Sequence, residues 1–361
     1  VVVAVKQLDQ LRHRIDALDT RLLSLLSQRG KLAIQIGHLK NSRGGGVYVP
    51  HREEMILRRL TTHNRGPLPD AAVRSIFREI ISSCRMLEQH LRVAYFQGTN
   101  STLTRIARVG FGSGARCEPM TSIADVFHTV SAGKADIGLV PVENSDEGSV
   151  SDTLDLFIQS DLQICAEWTG ASTFTLCSRI PLGKTRKVWG KADAVAACRE
   201  WIRRILPAAT CRKVDHLRDA LEHASQDADG ALVADIQDDV PKELRLRTAA
   251  FHESQTRYWV LGKTDTLPTG HDKTSLMFIL ADEVGALQKS IAALSGAGIN
   301  ITRIESRPSH RKSDEFNFFV DVAGHLREPK VARAVSRLRK KTQLVKVLGS
   351  YPVVDGGIKT S

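Results

Sequence analysis

LDQLRHRIDALDTRLLSLLSQRGKLAIQIGHLK, residues 8–40, decides how the chain begins to fold. Leu8, Leu11, Ile15, Leu18, Leu22, Leu25, Arg29, Leu32, Ile36 and Leu39 recur at alternating steps of three and four. That spacing is the seam of a long helix packed along another helix. Arg29 interrupts an otherwise aliphatic seam, and a guanidinium there is costly unless an anion meets it. Arg12 and Lys40 flank the same stripe near its ends. Singly, each would be an ordinary solvated salt-bridge position. Together with Arg29 they point to a buried site for a small, multiply charged anion.

Outward from this stretch, the sequence predicts one helix over 6–41, broken at NSRGGG (41–46), whose loop carries Gly44 to Gly46. A second helix is expected from Pro50 to His63. After the turn NRGPLPD (64–70), a third opens at Pro69–Asp70 and runs to about Leu91. A first helix much longer than its two companions cannot bury its seam alone, so a second copy of the chain is expected. From Arg92 the pattern changes. VAYF (93–96), DIGLVPV (136–142), QICAEW (163–168), TFTLC (173–177), KVWG (187–190), GALVAD (230–235) and YWVLG (258–262) read as strands between helices. They imply an α/β block with a largely parallel sheet and two lobes around a cleft. LPTGHDK (267–273) reads as a linker. Beyond it a βαββαβ order fits a ferredoxin-like α+β domain. The expected organisation is multidomain: an all-α block at 1–91, a two-lobed α/β block at 92–266 and the small α+β block at 273–355.

At 361 residues the chain has room for these three units. No apolar run approaches the ~20 residues needed to span a bilayer, and VVVAVKQLDQ (1–10) is not a secretory signal. The six cysteines form no CxxC pair, which argues against zinc and redox motifs and for a reducing cytoplasm. The net charge of +11 is spread over Arg12–Arg14, Arg58–Arg59, Arg203–Arg204 and Arg337–Lys341 without a nucleic-acid-binding motif. Small anionic substrates account for part of it.

LRHRIDALDTRLLSLLSQR (11–29), VPVENSDEG (140–148), TRY (256–258), VGAL (284–287), GINITRIESRP (298–308) and VLGSYP (347–352) together resemble the bifunctional chorismate mutase–prephenate dehydratase family of bacterial phenylalanine synthesis, over essentially the whole chain. The resemblance implies an all-α mutase domain, a two-lobed dehydratase domain and a regulatory ACT domain that binds phenylalanine. It implies chorismate and prephenate as substrates, a homodimer or higher homo-oligomer, and no cofactor or metal. For the mutase, Arg12 and Arg29 would clamp carboxylates and Lys40 would donate to the breaking ether oxygen. Arg52 and Glu53 match an Arg-Glu pair, with Glu53 taking a substrate hydroxyl. Glu88 would face the ether oxygen, where a carboxyl donates only when protonated; that implies a raised pKa and a preference for acidic to neutral pH. Val49 stands where relatives carry a polar or basic residue.

For the dehydratase, the resemblance carries over Asn144, Ser145, Thr256 as hydroxyl donor and Arg257 as a substrate-carboxylate partner. The chain also departs from the pattern. Gln97-Gly98-Thr99-Asn100-Ser101-Thr102 replaces a Gly-Pro-x-Gly-Thr-Phe-Ser loop, GASTFTLC (170–177) lacks the family's histidine, Ser254 replaces an asparagine and Tyr258 a phenylalanine. Two alternatives therefore stay open. Either the middle domain decarboxylates prephenate without dehydration or is inactive, or the whole chain is a phenylalanine-binding sensor. The expected phenylalanine site comprises Gly285, Ala286 and Leu287 at a helix N-terminus, Asn300, and Glu305, Ser306, Arg307 and Pro308, with Val284 replacing a usual proline.

Overall fold

The computed structural model describes residues 2–41, 46–97, 101–146, 148–236, 247–280, 283–308 and 315–354. The expected glycines 44, 45 and 98 and residues Thr99 and Asn100 lie outside these.

Helix α1 spans Val2–Asn41, α2 Pro50–Thr62 and α3 Asp70–Met86. The third helix stops earlier than its sequence suggests, because Leu91 already belongs to the first strand. The seam of α1 does not face its own chain: Leu18 is 55% exposed, and Leu8, Leu11, Ile15, Leu22, Leu25, Leu32, Ile36 and Leu39 are exposed with it. A second stripe, Gly30, Ala33 and Gly37, is the buried one. At Gly37 a β-carbon would lie 2.9 Å from Glu88 Cγ, so the missing side chain lets the segment after α3 approach α1 closely.

The middle block runs β1 (Leu91–Phe96), α4 (Ser101–Phe111), β2 (Ala115–Met120), α5 (Ile123–Ser131), β3 (Ile137–Asn144), β4 (Gly148–Ser149), α6 (Ser151–Gln159) and β5 (Gln163–Ser178). After a 3₁₀ turn at Leu182–Lys184 come β6 (Lys187–Lys191), α7 (Ala192–Ala197), α8 (Arg199–Ile205), β7 (Thr210–Val214), α9 (Leu217–Gln226), β8 (Gly230–Asp235) and β9 (Arg247–Gly262). Sheet order is β2-β1-β3-β9-β5-β8-β6-β7. The outer trios β2-β1-β3 and β8-β6-β7 are parallel, but the pairings β3-β9, β9-β5 and β5-β8 are antiparallel. The expectation of a largely parallel sheet thus holds only within each lobe. The segments read as separate strands at 163–168 and 173–177 are one strand of 16 residues, matched by β9 of equal length. At about 3.3 Å per residue each is roughly 50 Å long, enough to run through both lobes. Strands β2 and β7 were not read from sequence: they are short and mostly polar.

The C-terminal block comprises β10 (Asp272–Ile279), α10 (Ala286–Ser295), β11 (Ile301–Pro308), β12 (Phe316–Ala323), α11 (Pro329–Arg339) and β13 (Leu344–Pro352), in sheet order β11-β12-β10-β13. One sheet face packs Leu276, Phe278, Val320 and Val322 under the helices. The other sends Met277, Phe319, Leu348 and Tyr351 into the same apolar core as Phe157, Ile164 and Trp259 of the middle block. The helical block joins through Tyr48, which packs edge-on against Phe111 at 5.5 Å between ring centres. Among the described residues no helix is long and apolar enough to cross a membrane.

Strand β13 crosses β5 at Gly349, where a β-carbon would overlap the backbone carbonyl and amide of Ile164. Backbone cannot rotate aside as a side chain can. Gly349→Ala is expected to lower the unfolding free energy by about 1–3 kcal/mol, the usual cost of overpacking, read as a lower urea midpoint.

Candidate functional site

In the helical block, the end of α1, the start of α2 and the end of α3 converge on a cluster of charges. Lys40 Nζ donates to Glu88 Oε2 at 3.3 Å, so two groups assigned to the same substrate atom already lie side by side. Glu53 accepts from Arg85 Nη1 at 2.5 Å. Burial raises the Glu53 pKa above the ordinary carboxylate value, with Arg85, Arg78 and Lys40 pulling against it. Arg29 is half-buried and donates to the Ile80 carbonyl at 3.4 Å. Arg52 is exposed. Arg12 stands apart on the projecting half of α1, 66% exposed and paired with Asp9 one turn away at 3.5 Å. A single chain therefore gathers Lys40, Glu53 and Glu88; Arg29 stands farther back on α1 against Ile80 of α3, and Arg12 lies outside.

In the middle block, β3, β9 and β5 lay a row of hydroxyl and amide groups along the sheet. Asn144 Nδ2 donates to Thr256 Oγ1 at 2.8 Å and Ser254 Oγ at 3.1 Å. Ser145 is tied to Gln255 by its amide and by its hydroxyl, which accepts from the Gln255 N–H. Ser254 faces Ser172 across β9 and β5. Ser172 Oγ lies 3.0 Å from Thr102 Oγ1, which donates to Asp235 Oδ2 at 3.2 Å; Arg105 approaches the same carboxylate at 3.5 Å. Thr102, Ser172, Ser254 and Asp235 are buried. Buried hydroxyls bonded to one another form a preorganised polar surface. His252 adds an imidazole: it stacks on Trp201 of α8 and its Nε2 lies 3.1 Å from Asp146 Oδ1 in the turn after β3. The histidine missing from 170–177 thus has a counterpart on the paired strand, opposite Phe174.

Arg257 is not in this row. Successive strand residues face opposite ways, and Arg257 points toward the C-terminal block. Its Nη1 donates to Glu143 at 2.6 Å, and its Nη2 to Glu167 at 2.6 Å and Asp321 at 2.8 Å. Lys273 holds the other Glu167 oxygen at 2.7 Å. Burial alone would raise the Glu167 pKa, but Arg257 and Lys273 outweigh it and hold it below the ordinary range. In this chain the Arg257 guanidinium is engaged in an interdomain clamp with Glu143, Glu167 and Asp321.

The residues expected to bind phenylalanine divide likewise. Arg303 bonds Glu305, Glu143 at 3.2 Å and Ser149 at 2.6 Å. Glu305 accepts from Ser149, and Arg307 grips Asp155 through two bonds of 2.9–3.0 Å and Ser151 at 2.5 Å. Glu305 and Arg307 thus dock the C-terminal block onto the segment that follows Asn144 and Ser145. Ser306 and Pro308 turn to the opposite, exposed face; Asn300 and Leu287 are exposed, and Gly285 and Ala286 half-buried. Gly285 precedes α10 with φ +82°, a left-handed conformation that favours glycine. Among the described residues no group of His, Cys, Asp or Glu is arranged to hold a metal ion.

Family models match along the chain in the same order: chorismate mutase type II at residues 11–89, prephenate dehydratase at 94–266 and the ACT domain at 274–340. The bifunctional chorismate mutase/prephenate dehydratase of Aquifex aeolicus is 39% identical over 357 residues, covering 96% of this chain and 98% of its own. That of Pseudomonas aeruginosa is 35% identical over 362 residues, with the same coverages. The chain belongs to the bifunctional chorismate mutase/prephenate dehydratase family. Among solved structures, the prephenate dehydratase of Arthrobacter aurescens in complex with L-Phe superposes with a TM-score of 0.58 at 27% identity, covering 73% of this chain and 91% of that one.

Within this family frame, Thr102, Ser172, Asp235, His252 and Arg85 are not among the site residues expected from sequence. Only Arg85 carried a usable signal, as a cation three residues before Glu88 in SSCRMLEQ (82–89). The dehydratase–ACT clamp yields a test. Arg257→Met leaves Glu167 and Asp321 facing each other with Lys273 as the remaining close cation. Unfolding free energy is expected to fall by about 3–5 kcal/mol, as when one partner of a buried ion pair is removed. In the parent protein the depressed Glu167 pKa contributes stability present above the ordinary carboxylate range and lost as pH falls through the folded value. Urea titrations at pH 7 and pH 4 should show that loss in the parent and a flatter pH response in Glu167→Gln.

Proposed function

We propose that the chain rearranges chorismate to prephenate in its helical domain (1–91) and converts prephenate to phenylpyruvate, water and carbon dioxide in its two-lobed domain (92–266). Phenylalanine acts through the ACT domain (273–355) as feedback inhibitor. The observation that carries this reading is similarity over nearly the full length to bifunctional relatives, at 39% and 35% identity, with all three family segments matched. A cytoplasmic setting fits six cysteines of which none forms a disulfide.

The first reaction breaks a carbon–oxygen bond as a carbon–carbon bond forms, with no nucleophile or metal. The protein holds the folded substrate and stabilises charge growing on the ether oxygen. Arg29 clamps a carboxylate, Lys40 and Glu88 meet the ether oxygen, and Arg52 and Glu53 hold the remaining polar groups. Arg12 comes from the partner copy in this reading, supported by its distance from the cluster and by the uncovered seam around it. In the second reaction the ring carboxylate leaves as carbon dioxide. Its bonding electrons enter the ring, and the hydroxyl departs with a proton as water. Thr256, held by Asn144, is the donor to that hydroxyl. Ser145, Ser172 and Thr102 line the cleft beside it.

Arg29→Ala is expected to lower mutase kcat/KM by several orders of magnitude, since it removes a charge-assisted clamp, while prephenate turnover stays near the parent rate. Retention of most mutase activity would refute the assigned role. Mass spectrometry of the prephenate product separates the dehydratase from a decarboxylase: loss of carbon dioxide together with water supports the dehydratase, loss of carbon dioxide alone overturns it. Leu18→Asp places a charge in the exposed seam. Sedimentation should show smaller species, with mutase activity lost and prephenate turnover kept.

A further inference from the structure

Arg85 is the most deeply buried cation among the described residues of the mutase domain, 6% exposed. It sits on α3 at the junction with the dehydratase domain. Nη1 donates to Glu53 at 2.5 Å, and Nη2 to the Phe111 carbonyl at the end of α4 at 2.8 Å. Its guanidinium carbon lies 5.6 Å from the centre of the Tyr48 ring, within cation–π range. Tyr48 in turn packs on Phe111, and Phe111 on Trp168 of β5 at 4.4 Å. Nε is buried without an acceptor. Burying a guanidinium so incompletely satisfied is poor design for stability alone, because an apolar side chain would fill the same space at less cost. The arrangement makes sense if the gain is geometric: one rigid fork fixes the carboxylate of Glu53 relative to a carbonyl of the next domain.

We propose that Arg85 is a positioning residue for the mutase reaction, orienting the Glu53 carboxylate from an anchor supplied by the dehydratase domain at Phe111. The mutase pocket is then built from two domains of this chain as well as from its partner copy. Glu53 faces Arg85 and Arg78 on α3, Lys40 on α1 and Tyr48 just before α2. Burial pushes its pKa up and Arg85 is the largest opposing influence. Without Arg85 the carboxyl is protonated at higher pH and free to rotate.

This inference rests on the mutase reading, and the two fail separately: a parent protein that does not turn over chorismate rejects that reading, whereas an active parent with an indifferent Arg85 rejects only this proposal. The experiment is a chorismate assay of the full chain across pH 5–9 for the parent, Arg85→Met, Arg85→Lys, Glu53→Gln and the double variant Glu53→Gln/Arg85→Met. Arg85→Met should lower mutase kcat/KM at pH 7 by about 30-fold, the order lost when a preorganised polar group is disordered. The acid limb of its pH profile should move to higher pH. Arg85→Lys keeps the charge but not the fork, so it should raise KM and leave the acid limb in place. On Glu53→Gln, adding Arg85→Met should change the rate by less than about threefold, since residues acting through one another are not additive. An unmoved acid limb in Arg85→Met, or full additivity in the double variant, overturns the proposal. If Arg85→Met does not fold, Arg85→Lys decides: a parental KM in that variant overturns it.

Discussion

Thr256 and Arg257 are neighbours on β9, and a strand must turn neighbours to opposite faces. The two-lobed domain is organised around that constraint. On one face, Thr256, Ser254 and His252 stand along the cleft, opposite Gly170, Ser172 and Phe174 of β5. On the other, Arg257 reaches Glu143, Glu167 and Asp321. Because β5 and β9 pair along their whole lengths, from Gln163 with Gly262 to Ser178 with Arg247, the lobes share one continuous ladder. The polar row and the contact with the ACT domain are therefore held by the same backbone, one peptide apart.

The charge cluster around Arg257 does a job that the apolar core beneath it cannot. Met277, Phe319 and Tyr351 bury area against Phe157 and Trp259, but hydrophobic contact is non-directional and tolerates sliding. Arg257 bonded to Glu167 and Asp321, with Lys273 on the far oxygen of Glu167, fixes one register, because any displacement strands a buried charge. Arg303 and Arg307 repeat the logic on Ser149, Glu143 and Asp155. The ACT domain is thus fastened on both sides of the segment bearing Asn144 and Ser145.

Much of this was legible in sequence where a pattern has one meaning. The three-four seam of α1, the βαββαβ tail and the VENS and ESRP segments each specify local structure through spacing or turn chemistry. What was not legible depends on partners distant in sequence. QICAEW and TFTLC were read as separate strands because the polar, glycine-containing TGAS between them lowers local strand propensity; pairing with β9 overrides it. Which face of β9 carries Arg257, and which face of β11 carries Glu305 and Arg307, was not legible either, because alternation tells which residues share a face but not what that face meets. Gly30, Ala33 and Gly37 were overshadowed by the louder aliphatic stripe beside them, although it is the small residues that pack against the chain's own helices.

Among the described residues, two apolar surfaces remain uncovered in the single chain. One is the seam of α1. The other lies on the ACT domain, where β11 forms the sheet edge and Ile304, Phe316, Val284 and Leu287 are exposed. An exposed strand edge with apolar side chains invites pairing, and a long aliphatic seam cannot stay wet without cost. Each surface is separate from the other in sequence and in fold, and an isologous contact covers a patch only with its own copy. A closed dimer therefore satisfies both only if one twofold axis serves the two ends of the molecule together. If the seams and the edges meet about different axes, the same two contacts generate a tetramer or a larger assembly, with every α1 seam covered across one axis and every β11 edge paired across the other.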